Sequence, residues 1–389
     1  MNKSIGLACN IKTGKLDANQ AVKGGGYPFF TCAEFPDEID HFAFDGDVVL
    51  VAGNNAQGNF HVSRFTGKFN AYQRTYVLSA KDGFDVDYIY YALKLELKRL
   101  REKSQGSQTK FLTMPILTGI HLRDLNFDDQ SAISGALRAL DAKIDCNNRI
   151  NVELEAMAKT LYDYWFVQFD FPDTNGKPYK SSGGKMAYNA TLKREIPVGW
   201  QTSTIGETFR THLGGTPSRD NDEYWKPGEV NWLSSGENPS TFVVSPDEKI
   251  SNIGLRNSPA KLLPQGTVIL SIVRHLRASI LGIEAATNQS VVGIVESEKL
   301  KHCFIYPYIV REIPRLMALR TGAQQPHINK GVLDESLLVI PDDATLSSYN
   351  TKAAPFFLQL QNNLRQNKQL AQLRDWLLPL LMNGQVTVA

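Results

Sequence analysis

Gly106-Ser107-Gln108, followed by Leu112, the run from Leu122 to Phe127 and the acidic pair Asp128-Asp129, has a second copy further along. That copy is Gly322-Ala323-Gln324, then Ile328, the run from Leu337 to Ile340, and Asp342-Asp343. Each copy feeds a long helical pattern, through Asn151-Val152-Glu153-Leu154 in the first and Asn367-Lys368-Gln369-Leu370 in the second. The two matches lie on one diagonal, 216 residues apart (322 less 106, 367 less 151). A weaker match sets Ser4-Ile5-Gly6 against Thr204-Ile205-Gly206. Solenoid repeats run to about 20–50 residues, so this is a duplicated domain with its own helix. A duplicated reader points to a target with two parts.

Composition sets the limits. A length of 389 allows two or three domains, and 42% hydrophobic residues with 29 glycines fit packed globular modules. No apolar run is long enough for a membrane-spanning helix, and the apolar stretch Ile5–Cys9 is too short for a signal peptide. Cys9, Cys32, Cys146 and Cys303 are far apart, with no C-x-x-C pair. This disfavours a zinc site or a disulfide framework and fits a reducing cytoplasm, the expected location. A net charge of +2 is only weakly basic, so any nucleic-acid surface has to be local.

Residues 1–126 read as a first module of mixed, mostly antiparallel β structure with helices. Asp47–Ala52 is a buried strand closed by Gly53-Asn54-Asn55, Arg74–Leu78 is another strand, and Tyr88–Arg101 is an amphipathic helix. Residues 127–172 form a long helix ended by Phe171-Pro172-Asp173, and 173–195, rich in Gly, Ser, Lys and Pro, a linker or long loop. Residues 196–345 repeat the module, with strands at Val268–Val273 and Ser290–Val295, and 346–389 form the second long helix. The fold class is therefore α+β: two modules separated by two long antiparallel helices packed as a coiled coil.

In the first helix Ile144, Asn151, Leu154, Leu161 and Trp165 follow heptad-like spacing; in the second, Leu360, Asn367, Leu370 and Leu377 do. Neither helix is stable alone in water at that length, so each needs a partner. Because a whole module separates them they can run antiparallel, with the modules at opposite ends. Asn147, Asn151, Asn363 and Asn367 at core-like positions either fix register at a cost in stability or face solvent; the sequence leaves both open.

Leu161-Tyr162-Asp163-Tyr164-Trp165-Phe166-Val167-Gln168-Phe169-Asp170-Phe171-Pro172, with Asn175-Gly176-Lys177-Pro178-Tyr179-Lys180 and Ser182-Gly183-Gly184-Lys185-Met186, resembles the central conserved region of type I restriction–modification specificity subunits. Ile196-Pro197-Val198-Gly199-Trp200 continues the likeness. Leu377-Leu378-Pro379-Leu380-Leu381-Met382-Asn383-Gly384-Gln385-Val386 is similar to that family's distal conserved region. Gly214-Gly215-Thr216-Pro217-Ser218-Arg219, with Tyr224-Trp225 and Trp232–Glu237, looks like the start of a target-recognition domain. The first module departs from the pattern: it lacks a Pro-x-Gly-Trp opening, which implies a shortened first strand. The resemblance implies a DNA-binding subunit without chemistry of its own. Each domain would read half of a split, asymmetric site on double-stranded DNA, and the helices would set the spacing. It also implies two methyltransferase (modification) subunits docked on the helices, and restriction subunits in the full complex. S-adenosylmethionine, ATP and magnesium would belong to those partners.

The residues support this independently. Gly183-Gly184-Lys185-Met186 fails as a phosphate loop, no Asn/Asp-Pro-Pro-aromatic segment is present, and the histidines show no H-x-x-x-H. Pro36-Asp37 with Glu96-Leu97-Lys98 has no nuclease spacing. In the first module Gln105, Gln108 and Lys110 form a polar loop after a basic helix that carries Lys103. Its counterpart carries Arg320, Gln324, Gln325, His327 and Lys330. Gln bonds adenine bidentately, and Lys and Arg grip phosphate or guanine. Weaker candidates are Arg219, Arg274 and Arg277, and the pre-strand residues Gln73, Arg74 and Gln289. Tyr162, Tyr164, Trp165 and Phe166 read as core and partner-docking rather than base-stacking. The alternatives are a stand-alone DNA-binding regulator or, less favoured, a fused methyltransferase or nuclease.

Overall fold

The computed structural model describes residues 3–54, 60–103, 111–236, 240–246, 248–322, 324 and 326–388, with the side chains of 102 and 103 outside the description. The chain divides into two compact units: Met1–Asp145 with Lys368–Ala389, and Cys146–Asn367.

The first unit contains β1 (Lys3–Ser4), α1 (Ile5–Ala8), β2 (Cys9–Thr13), β3 (Tyr27–Phe30), β4 (Asp37–Ile39), β5 (Phe44–Ala52), β6 (Val62–Ala71), β7 (Thr75–Ala80), α2 (Val86–Lys103), α3 (Met114–Thr118), β8 (His121–Leu122) and the start of α4 (Phe127–Tyr162). Its main sheet has the order β2-β7-β5-β6-β3-β4. All neighbours are antiparallel except β3 and β6. The apolar run in β5 is continuous because both faces are covered. Val49 and Val51 pack with Leu78 against Ile89, Leu93 and Leu97 of α2, while Val48 and Leu50 pack with Phe30, Phe69 and Val77 on the other face. Ile133 and Leu137 of α4 close the α2 side, joined by Leu381 and Met382 from the far end of the chain.

The second unit contains β9 (Met186–Asn189), β10 (Arg194–Pro197), β11 (Gln201–Thr204), α5 (Ile205–Thr208), β12 (Arg210–Leu213), β13 (Val230–Leu233), β14 (Phe242–Val243), β15 (Glu248–Ile250), α6 (Asn252–Arg256), β16 (Val268–Ser271), β17 (Arg277–Leu281), β18 (Ala286–Thr287), β19 (Val291–Val295), α7 (His302–Ala318), α8 (Lys330–Asp334), β20 (Leu337–Ile340) and the start of α9 (Asp343–Asn383). The order β12-β19-β16-β17-β14 reproduces β2-β7-β5-β6-β3, and β14 runs parallel to β17 as β3 does to β6. β11 pairs with β20 as β1 pairs with β8. The weak Ser4/Thr204 match is therefore a topological one: both residues lead into a one-turn helix, which Thr204 caps reciprocally with Glu207. β1 is described over two residues where β11 has four. The second unit adds a small sheet, β15-β13-β18.

The stretch read as a linker is folded. The Asp170 carboxylate accepts from Ser181 N and Oγ (2.7 and 2.6 Å), and Tyr179 stacks on Phe171, which stacks on Trp200. Hairpin β9–β10 follows. Isolated aromatic and hydroxyl anchors order this segment, and they leave no periodicity to read.

The asparagines settle the open question about the helices. Within the second unit Asn147 Nδ2 donates to Asn367 Oδ1, Asn367 Nδ2 to Asn148 Oδ1, and Asn363 Nδ2 to Asn151 Oδ1, each at 2.8 Å. Pairing 147 with 367 and 151 with 363 makes α4 and α9 antiparallel there. Asn147, Asn151 and Asn363 are buried, so they do not face solvent. Within the first unit the same two helices meet through Arg374 Nη1 and Asp141 Oδ1 at 2.6 Å, and Tyr91 OH donates to Asp141 Oδ2 at 2.7 Å. α4 ends in a wider turn over Asp163–Val167 that buries Trp165 and Phe166. Trp165 is 3% exposed and Leu360 1%, which places them in the second unit's core rather than at a docking surface. Ile144, Leu154, Leu161, Leu370 and Leu377 are half-buried. Among the described residues no helix is long and apolar enough to cross a membrane.

Candidate nucleic-acid interface

In the second unit the antiparallel order of β12, β19, β16 and β17 gathers three connections at one sheet end. These are Gly214-Gly215-Thr216 after β12, Val273-Arg274-His275 leading into β17 at Arg277, and Asn288-Gln289-Ser290 before β19. The approach is close: a Cβ on Gly214 would lie 2.3 Å from Asn288 O and from Thr287 Oγ1. The duplicated polar loop is stitched to this end. Val273 bridges to His327, Arg274 N donates to Pro326 O (2.8 Å), and Ile328 N donates to Ile272 O (3.0 Å). Two candidate patches separated in sequence thus become one surface.

Arg274 is its centre. It adopts φ +55, a left-handed conformation that costs a non-glycine residue roughly 1–3 kcal/mol and that clusters at functional sites. With His275, Arg277, Ser235, Ser271 and Ser290 it lines a cavity of about 350 Å³. The hydroxyls come from separate segments, so no sequence pattern could have assembled them.

The other candidates divide by what already holds them. Arg320 donates to Met317 O (3.0 Å) and Arg274 O (2.5 Å), so it braces the strained turn. Gln289 accepts from Thr216 Oγ1, and Lys330 is ion-paired with Asp334. Arg219 stacks over Trp225 at 3.6 Å and pairs with Glu248 at 2.7 Å, so its guanidinium is already engaged. Gln324 is exposed, and Gln325 lies outside the described residues.

The first unit repeats the arrangement with different side chains. Asn54 bridges to Phe111 as Val273 bridges to His327, and Phe111 and His327 are 216 positions apart (327 less 111). The Arg74 guanidinium lies 5.6 Å over the Phe111 ring, while Gln73 Nε2 donates to Asp17 Oδ1 at 2.6 Å. The Lys103 side chain and Gln105, Gln108 and Lys110 lie outside the described residues. Among the described residues no cluster of His, Cys, Asp and Glu could hold a metal ion.

Two units of one topology, bridged at the same sheet end by Asn54 and Phe111 in one and by Val273 and His327 in the other, define a duplicated recognition protein. The chain belongs to the type I restriction modification DNA specificity domain family, whose model matches residues 1–156 and again 197–374. It is a specificity subunit, which recognises DNA and leaves catalysis to other subunits. It is 24% identical over 323 residues to the type I restriction enzyme MjaIX specificity subunit of Methanocaldococcus jannaschii, covering 79% of this chain and 71% of that protein. It is 38% identical over 141 residues to the EcoDI specificity subunit of Escherichia coli, covering 36% of this chain and 31% of the relative. Its fold is similar to the crystal structure of a type I restriction–modification S subunit from M. genitalium. There the TM-score is 0.63 at 15% identity, over 98% of this chain and 96% of that one.

Proposed function

We propose that each unit reads one half of a bipartite site on double-stranded DNA, and that α4 and α9 set the separation of the halves while docking two methyltransferase subunits. The carrying observation is the repeated sheet end, bridged alike by Asn54 and Phe111 and by Val273 and His327, in two units that each hold part of α4 and α9. In the second unit Arg274 and Arg277 are the base-reading candidates, with Gln324 beside them; Arg320 and Gln289 position the loops. In the first unit Arg74 is the equivalent candidate, while Gln105, Gln108 and Lys110 lie outside the described residues. Docking falls to outward apolar residues of the helices: Val152 (63% exposed), Leu358 (60%) and Trp376 (62%) lie off the Asn-bearing seam and face no core. S-adenosylmethionine, ATP and magnesium would act in the modification and restriction subunits, in the cytoplasm.

Exchange of residues 197–341 for the matching region of a relative tests the reading. Methylome sequencing of cells carrying the chimera is expected to show one half of the methylated motif changed and the other retained. A change in both halves would refute one unit per half-site.

A further inference from the structure

A second basic surface lies on the second unit, away from the strained turn. β12 is the edge strand of its sheet, and Arg210 and His212, two apart, share one face. His212 lies opposite Gly293 in the register with β19. A Cβ on Gly293 would meet Leu263 Cδ1 at 2.6 Å, so the missing side chain lets the segment before β16 pack onto this face. That segment brings Lys261 to the same edge. The imidazole of His212 is held below its ordinary pKa by burial first, then by the charges of Lys261, Arg210 and Lys330. Lys330 is neutralised by Asp334, which also accepts from Thr211 Oγ1 at 2.8 Å. Arg210 and Lys261 are exposed, and neither has an anionic partner among the described residues.

Edge strands often carry a charge to deter pairing with another sheet, but one lysine is enough for that. Two exposed cations beside a partly buried imidazole, neither of them ion-paired among the described residues, suit an external anion.

We propose that Arg210, His212 and Lys261 form a phosphate clamp that grips the DNA backbone beside the half-site read by the second unit. Arg210 lies three residue steps from Leu213 at the reading end, about 10 Å of strand. This corresponds to roughly three base-pair steps along the duplex. The matched positions of β2 in the first unit are Asn10 and Lys12, so the arginine–histidine pair is not repeated there. The clamp carries no sequence information and holds the duplex in register for Arg274.

This inference rests on the DNA-reading role proposed above. Its test is the salt dependence of binding, measured on the specificity subunit assembled with its modification subunits. The probes are a duplex bearing the methylated motif and a scrambled duplex. In Arg210→Ala/Lys261→Ala the plot of log affinity against log salt is expected to become shallower by about 2. Affinity at 0.1 M salt should fall roughly 10- to 100-fold on both duplexes alike. Arg210→Lys/Lys261→Arg should keep the parental slope. An unaltered slope in a correctly assembled complex overturns the clamp, as does a loss confined to the motif duplex. Impaired subunit assembly with DNA binding intact would make the patch a protein contact and overturn it too. A complex that still discriminates its motif with an unaltered slope leaves half-site reading standing; a unit exchange that changes neither half sinks that reading instead.

Discussion

Replacing Asn363 by leucine removes the donor to Asn151 Oδ1 and the acceptor of Gln359 Nε2, both within 2.8 Å. Asn151 and Asn363 are 7% and 4% exposed, so water cannot take over the lost bond. Leaving one buried amide unpaired costs about 1–3 kcal/mol. In a unit of 222 residues (146 to 367) each kcal/mol lowers the melting temperature by about 2–4 °C, so either single leucine variant should melt roughly 2–12 °C lower. Asn151→Leu/Asn363→Leu removes both partners and sets leucine against leucine across the seam, which restores stability to near or above the parent. The coupling energy from urea unfolding of the four proteins should then be about 1–3 kcal/mol. Single variants within about 0.5 kcal/mol of the parent, or a double variant equal to the sum of the singles, would refute a paired, register-setting role.

Three further outcomes follow from the same geometry. Arg274→Gly relieves the positive φ and should stabilise the protein by about 1 kcal/mol, while discrimination at the second half-site drops by roughly 1–3 kcal/mol in competition binding; equal loss on specific and random DNA would deny it a base contact. His212 is held below the ordinary histidine value by burial and by Lys261, Arg210 and Lys330, so the folded state favours its neutral form. That contribution is present above about pH 6.5 and lost as pH falls toward the folded value, so the parent should lose stability relative to His212→Gln in urea melts at pH 5 against pH 7. Four residues inserted between Asn151 and Leu154, matched by four in α9, add about 6 Å of helix and should lengthen the methylated spacer by roughly one or two base pairs; a folded variant methylating the original spacing would remove the helices as the ruler.

The strands and helices were legible wherever burial left a period. The apolar run at Val48–Ala52 reads as a two-sided strand because both faces are covered, and the diagonal from Gly106 to Gly322 reports a repeat of the sheet itself. The asparagines were legible only as a choice, since the residue type is the same in a seam and in water; the partner across the seam decides it. Individual contact residues were the least legible. Arg219 and Arg274 look alike in a string of letters, yet one is stacked on tryptophan beside a glutamate and the other is held in a strained turn over a cavity. Arg210 and Lys261 lie 51 residues apart (261 less 210), and the glycine at 293 lets their segments pack together.

The core of the first unit includes Leu381 and Met382, which are made only after the whole second unit. At about 5–20 residues per second of synthesis, the stretch from 146 to 382 takes roughly 12–47 s. Throughout that interval the face formed by Ile133, Leu137 and α2 has no permanent cover. The second unit, whose core closes at Leu360, is therefore complete before the first, although it begins later in the chain. The exposed face of the waiting unit is where a chaperone would bind, and where a stalled or truncated chain would aggregate.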